Sequence, residues 1–258
     1  MLGPRRALAS AGVDFRLIAP WDVAIRIDEG EPVTVLGGVH VGCFELFARE
    51  GIHSVADLKG KSVGPADRTN LIALMAANVG LDPKEDLRWV TGPPQMAMEL
   101  FGAGEIDSFL GWPPEPQQLR ARRAGHLILS TAVDRPWSQY FCCMLVGSRD
   151  YVRNYPVATK RVLRAILKAA DLCANDPAGA AQRLVAGGFT PRYEAPRYDD
   201  AVETLSGIPY DKWREYDAED SVRFYALRMR EAGLINRARR RSSPTAPIGA
   251  FSTSSNAS

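Results

Sequence analysis

The chain has 258 residues, of which 46% are hydrophobic and 24% are charged, and its formal net charge is +2. This composition excludes a wholly disordered chain, a collagen-like chain and a disulfide-dense miniprotein, and it allows one large domain or two lobes. The near-neutral charge gives no reason to expect a nucleic-acid partner, and no run of about 20 apolar residues predicts a membrane span. Residues 1–6 lack a following apolar run, so we expect no signal peptide.

Short β-branched runs alternate with helical patterns, which is typical of an α/β fold with largely parallel sheets. The patterns predict strands at 32–38, 61–65, 87–90, 106–110 and 127–130, and helices at 70–79, 95–103, 157–174 and 217–233. Asp217 is the predicted N-cap of the last helix, and Gly233 its stop. Residues 236–258 have no periodicity and are predicted to form a disordered tail.

One internal similarity bears on the domain organisation. Residues 11–20 resemble residues 104–113, because each segment passes through a small-residue turn into Val-Asp or Ile-Asp, a short strand and a loop containing proline. Two copies are too few for a solenoid but fit two similar α/β lobes. The alternative is chance similarity between common helix-to-strand turns.

The residue types that carry chemistry are few, with four cysteines and three histidines. No C-x-x-C or H-x-x-x-H spacing occurs, so we expect no metal site and interpret the cysteines as buried free thiols. No G-x-S-x-G, G-x-G-x-x-G or Walker lysine motif occurs either. The sequence therefore predicts no catalytic group and no cofactor.

Polar and aromatic residues follow three of the predicted strands, at the sheet edge where open α/β sheets bind ligands. The second group opens a helix, whose free N–H groups favour an anion, although Asp67 or Thr69 could equally be a simple cap. Trp112 and Trp137 could wall a small-molecule pocket or simply be packed. The candidate binding residues are His40, Cys43, Asp67, Thr69, Asn70, Trp112, Pro113, Glu115 and Trp137.

Three segments together resemble a known family. Residues 55–64 (VADLKGKSVG) resemble the entry to the second lobe of periplasmic solute-binding proteins. Residues 100–109 (LFGAGEIDSF) resemble their helix-to-strand step, and residues 149–156 (RDYVRNYP) resemble their return segment. In order and spacing, the set resembles the nitrate/sulfonate/taurine-type substrate-binding proteins of ABC transporters, also called NMT1/THI5-like, over about residues 7–235.

The resemblance implies a type II periplasmic-binding-protein fold, in which two α/β lobes are joined by a two-strand hinge. Lobe 1 would begin with residues 1–60, lobe 2 would span 61–137, and residues 138–235 would return to lobe 1 and add the C-terminal helices. The two crossovers would lie near 60–63 and 138–141. Compared with the family pattern, the chain is expected to be N-terminally truncated.

The resemblance also implies a function: the solute-binding component of an ABC importer, which captures a small anionic, zwitterionic or heteroaromatic solute in the interlobe cleft. Donors near Thr69 would hold a charged head, and Trp112, Trp137 and Tyr140 would enclose the rest. The implied partner is a membrane permease, the location is the periplasm or cell surface, and the chain would be a monomer. No motif encodes the identity of the solute.

An enzyme is the alternative, because some relatives are thiamine-pyrimidine synthases that use His and Cys residues. His40, Cys43, Cys142 and Cys143 would be its candidate groups, since such chemistry needs iron-competent or nucleophilic side chains. We favour binding, because two adjacent cysteines on a regular strand point to opposite faces.

Overall fold

Two β-sheets organise the chain in a computed structural model, which describes residues 12–65, 69–187 and 198–235. The strands are β1 (Phe15–Ile18), β2 (Val33–Val41), β3 (Glu45–Ala48), β4 (Lys61–Gly64), β5 (Leu87–Trp89), β6 (Ser108–Gly111), β7 (His126–Ser130) and β8 (Phe141–Ser148). The smaller sheet has the order β1-β8-β2, and the larger sheet has the order β5-β4-β6-β3-β7. All five strands predicted from the sequence are present, with shifted ends.

Helices pack around these sheets. They are α1 (Pro20–Asp28), α2 (Thr69–Asn78), α3 (Pro94–Ala103), α4 (Glu115–Arg122), α5 (Arg149–Asn154), α6 (Pro156–Asn175), α7 (Pro177–Gly187), α8 (Tyr198–Gly207) and α9 (Ala218–Glu231). Short 3₁₀ helices lie at Val55–Leu58, Trp137–Gln139 and Tyr210–Arg214. Among the described residues, no helix is long and apolar enough to cross a membrane.

The two long helices predicted from periodicity are confirmed. In α6, Ala170 is buried against the smaller sheet, whereas the basic side chains of the helix are exposed. In α9, Tyr225 and Met229 are buried, and the Asp217 carboxylate accepts hydrogen bonds from the backbone N–H groups of Glu219 and Asp220, as expected of an N-cap. The predicted disordered tail, residues 236–258, lies outside the described residues.

The expectation of largely parallel sheets is wrong. Only the β4–β5 and β4–β6 pairs are parallel, and the other pairs in both sheets are antiparallel. The reason is local, since helical crossovers give parallel neighbours only where they connect strands of one sheet. Such connections are α2, between β4 and β5, and α3, between β5 and β6. In contrast, β3 follows a strand of the smaller sheet and β7 precedes one.

The chain passes between the sheets twice. The first passage, residues 42–44, connects β2 to β3, and the second passage, residues 131–140, connects β7 to β8. The first passage lies earlier in the chain than 60–63, where the resemblance had suggested a crossover, because β3 already belongs to the larger sheet. β3 was not predicted, because a run of four residues is too short to show a clear period.

Candidate functional site

The two passages are held against each other by one hydroxyl group. Thr131 is 2% exposed, and its Oγ1 accepts hydrogen bonds from the backbone N–H of Cys43 at 3.2 Å and of Phe44 at 2.9 Å. The same hydroxyl donates to the carbonyl oxygen of Phe44 at 3.0 Å. Because one donor and two acceptor positions are all used, this side chain fixes the first passage to the second.

Gly42 allows this close approach. Its φ is +32°, and a Cβ atom added there would lie 2.2 Å from the Cα atom of Ala132. No residue with a side chain fits that space without moving the backbone of the second passage. The glycine therefore explains why the sequence can bring the two passages together at this point.

His40 lies near the end of β2, and Cys43 lies in the first passage. His40 is 9% exposed and Cys43 is half-buried. Nδ1 of His40 lies 3.0 Å from the carbonyl oxygen of Val41, and since a carbonyl only accepts, Nδ1 carries the proton of this hydrogen bond. The ring of Tyr210 lies beside the imidazole, with a centroid distance of 5.1 Å.

Three cysteine thiols and this histidine form a cluster. Sγ of Cys43 lies 3.1 Å from Sγ of Cys142, and the donor atoms of His40, Cys43 and Cys143 all lie within 4.8 Å of one another. The thiols are free. The argument that adjacent Cys142 and Cys143 must point to opposite faces is wrong here, because Cys142 is an unpaired extra residue in the β2–β8 ladder, which is a β-bulge.

The cluster shifts the pKa values of its members in opposite directions. Hydrogen bonds from Cys142 and Cys43, with the nearby charge of His40, hold the pKa of Cys143 well below its usual range. Burial on its own would lower the pKa of His40, but the charge of the Cys143 thiolate outweighs it and the pKa is raised. The pKa of Cys43 is raised well above its usual range because its thiol donates to the neighbouring sulfurs. The site thus favours a thiolate beside an imidazolium.

Trp112, Pro113 and Glu115 form the turn between β6 and α4. The ring of Trp112 stacks on that of Phe44, with centroids 6.4 Å apart and planes 13° from parallel. The backbone N–H of Trp112 donates to Oε2 of Glu115 at 3.0 Å, and Glu115 is 3% exposed. Pro113 is half-buried in the same turn. Glu115 therefore holds the turn that presents Trp112 to the first passage.

Trp137 and Tyr140 belong to the second passage and pack against α9. Trp137 is 2% exposed, and its ring lies 6.0 Å from that of Phe224 and 6.3 Å from that of Tyr225. Tyr140 is half-buried and stacks on Phe224 with centroids 3.9 Å apart. The interior thus holds Trp137, whereas Tyr140 keeps part of its ring exposed.

The predicted binding residues Thr69 and Asn70 lie at the start of α2. Asn70 is 8% exposed in the first turn, and Thr69 is the first helical residue. Asp67 and the side chain of Thr69 lie outside what the structure describes.

Sequence comparison identifies the family. The sequence model of the "NMT1/THI5 like" family matches residues 2–180. The chain belongs to the NMT1/THI5-like family. The resemblance drawn from the three sequence segments is therefore confirmed.

Relatives of this NMT1/THI5-like chain include proteins of Brucella that are named as binding proteins. Proteins of Brucella abortus (strain 2308) and Brucella suis biovar 1 (strain 1330), which carry the provisional name of binding proteins, are each 24% identical to it over 175 residues. The match covers 67% of this chain and 54% of each relative, so the chain spans about half the length of these relatives.

Solved structures show the same fold. The alkanesulfonate-binding protein SsuA of Xanthomonas axonopodis pv. citri, bound to MOPS, is 19% identical with a TM-score of 0.71, over 89% of this chain and 79% of that one. The nitrate-binding protein NrtA of Synechocystis PCC 6803 is 17% identical with a TM-score of 0.68, over 88% of this chain and 69% of that one. The periplasmic aliphatic sulphonate binding protein SsuA of Escherichia coli is 18% identical with a TM-score of 0.66, over 87% of this chain and 72% of that one. The predicted periplasmic-binding-protein fold is confirmed.

Several residues of the site were not predicted from the sequence. They are Phe44, Thr131, Tyr210 and Phe224. The position of Phe44 beside Cys43 was an available signal, since the strand-end rule already pointed to this stretch. Phe224 and Tyr210 come from elements far along the chain, and no local pattern connects them to the passages.

Proposed function

We propose that this protein is the solute-binding component of an ABC importer and that it binds its solute without turning it over. The observation that carries the proposal is the meeting of the two passages between the sheets, with Trp112 partly exposed beside Phe44 of the first passage and Tyr140 partly exposed in the second. Ligands of open α/β sheets bind at such strand ends. The family and the fold agree with this role, and so do the sulfonate- and nitrate-binding names of similar structures.

The solute we propose is small, and either anionic, zwitterionic or heteroaromatic. Two stacked pairs, Phe44–Trp112 and Tyr140–Phe224, supply flat π faces for an apolar or heteroaromatic portion. A charged head would lie at the start of α2, where backbone N–H groups of the first turn favour an anion and Asn70 can add a donor. Asp67 and Thr69 remain proposed neighbours of that head.

Binding would act through a hinge at the two passages. A solute that contacts both sheets binds a closed arrangement better than an open one, and so shifts the population towards closure. A membrane permease would recognise the closed form. We propose that this protein acts in the periplasm or at the cell surface. We propose that the chain acts as a monomer and without nucleic acid.

The test is a thermal-shift screen of the full chain against taurine, alkanesulfonates, nitrate and thiamine-pathway pyrimidines. A solute present at 100 times its dissociation constant stabilises the folded state by about 2.7 kcal/mol. For a chain of this size, that free energy raises the melting temperature by roughly 5–10 °C. No shift with any member of the panel would contradict the proposal.

Trp112→Ala locates the solute. We expect it to weaken binding by about tenfold, because the loss of a stacked aromatic face costs about 1–1.5 kcal/mol. Trp89→Ala is the matched control, since Trp89 is a half-buried tryptophan at the end of β5, with its indole N–H bonded to the Pro83 carbonyl. Isothermal titration calorimetry should show a larger dissociation constant for Trp112→Ala and an unchanged one for Trp89→Ala. An unchanged constant would remove Trp112 from the site.

A synthase-like enzyme is the second candidate, and the cluster of His40, Cys43 and Cys143 is the observation that favours it. Mass spectrometry of the protein incubated with thiamine-pathway precursors, in the absence of any transporter, separates the two functions. The precursor is expected to be recovered unchanged. A released product would overturn the proposal that the protein only binds.

A further inference from the structure

Three thiols and one imidazole lie close together where the end of β2 and the first passage meet the start of β8. Sγ of Cys43 and Sγ of Cys142 are 3.1 Å apart, and donor atoms of His40, Cys43 and Cys143 lie within 4.8 Å of one another. The thiol of Cys142 is buried, and His40 is 9% exposed. The solute-binding proposal does not account for this concentration of thiols.

The backbone builds this cluster by two local features. In the β2–β8 ladder His40 pairs with Cys143 while Val41 pairs with Phe141, so Cys142 is left over and forms the bulge. Because a bulge interrupts the alternation of side chains, Cys142 and Cys143 can both approach the thiol of Cys43. The first passage supplies that thiol, and its backbone N–H is fixed by the Thr131 hydroxyl at 3.2 Å.

We propose that His40, Cys43, Cys142 and Cys143 bind a thiophilic metal ion, for which Zn²⁺ is the best-fitting ion. One imidazole with three thiols is a donor set of tetrahedral zinc sites, and thiolate ligands select zinc over hard ions such as Mg²⁺ and Ca²⁺. With zinc–sulfur bonds of about 2.3 Å, the donor atoms of a tetrahedral site lie roughly 3.8 Å apart. The donor atoms of His40, Cys43 and Cys143 lie within 4.8 Å of one another, so shifts of about 1 Å bring these three to that spacing, and Sγ of Cys142 lies beside them, 3.1 Å from Sγ of Cys43.

The surroundings of His40 suit a metal ligand. Its Nδ1–H donates to the Val41 carbonyl oxygen at 3.0 Å, which leaves Nε2 as the ring nitrogen that can give up its proton and bind the metal. Histidine ligands commonly donate their second ring N–H to a carbonyl in this way, because the bond fixes the tautomer and the ring orientation.

Binding of Zn²⁺ is tested on the full chain, purified under reducing conditions and freed of metal with a chelator. Titration with Zn²⁺ against a chromophoric chelator should give one ion per chain, and Co²⁺ should produce thiolate-to-cobalt charge-transfer absorption in the near ultraviolet. Cys43→Ser should lower the zinc affinity by more than the roughly 10–100-fold that loss of an outer partner of a ligand costs. Cys173→Ser, which removes a half-buried thiol in α6 outside the cluster, should not change it.

One measurement needs no variant. X-ray absorption at the zinc edge of the wild-type complex counts sulfur and nitrogen neighbours directly, so it decides the matter even where Cys43→Ser fails to fold. A shell of three sulfurs and one nitrogen supports the site. A shell of nitrogen and oxygen alone, no bound zinc, or equal affinities for Cys43→Ser and the wild type would overturn it. None of these readouts requires a solute, so failure here is distinct from failure of the solute-binding proposal.

Discussion

Thr131→Val tests whether one hydroxyl holds the two passages together. The variant keeps the shape of the side chain and removes the acceptor of the Cys43 and Phe44 N–H groups. The Phe44 carbonyl keeps a partner, because the backbone N–H of Thr131 also donates to it at 2.9 Å. Two N–H groups are therefore left without a partner.

The expected cost follows from these two groups. An N–H without a partner costs about 1–3 kcal/mol when buried, and because Cys43 and Phe44 are only half-buried the low end applies, giving about 2–3 kcal/mol in total. Thr131→Ser is the control, since it keeps the hydroxyl and loses one methyl group, worth about 1 kcal/mol.

Equilibrium urea unfolding, followed by circular dichroism and tryptophan fluorescence, measures the free energy of unfolding of both variants. We expect Thr131→Val to be about 1–2 kcal/mol less stable than Thr131→Ser. Equal stability of the two variants would refute the reasoning, because the methyl group and not the hydroxyl would then account for the role of Thr131.

Two further predictions concern the backbone and the pH dependence of stability. Gly42→Ala should lower the free energy of unfolding in urea by at least about 2 kcal/mol more than Gly51→Ala does. Both glycines have positive φ, but only at Gly42 would the added Cβ meet the Ala132 backbone. Equal losses of stability would argue against a steric role for Gly42. Burial alone would raise the pKa of Asp107, but hydrogen bonds from the N–H and hydroxyl of Ser62 hold it below its usual range. A lowered pKa contributes stability above the unfolded value of about 3.9 and loses it as the pH falls through the folded value. The stability gap between wild type and Asp107→Asn should therefore narrow below about pH 4, and a constant gap would contradict this.

Local pattern predicted five of the eight strands and four of the nine α-helices that the structure describes, and it predicted little of the site. The helix α6 and the strand β4 were found because their signals, a period of 3.6 and a β-branched run ended by glycine, lie within one segment. The stacking of Tyr140 on Phe224 has no such signal, since the two residues come from the second passage and from α9. The thiol cluster has none either, because spacing rules for metal sites compare neighbours in sequence, and Cys43 reaches Cys142 only through the pairing of β2 with β8.

The bulge at Cys142 can be read from the packing of β8 itself. Met144 and Val146 share one face of the strand, as the period of two requires, and both lie in a single apolar cluster of the smaller sheet. Phe141 lies in the same cluster although it is three positions before Met144, an odd offset that strict alternation would place on the opposite face, so one residue between them must fall out of the alternation. The ladder identifies that residue as Cys142. Burial of Phe141, which is 1% exposed, therefore constrains the same local bend that brings Cys142 and Cys143 to Cys43, and the apolar core and the thiol cluster depend on a single irregularity of one strand.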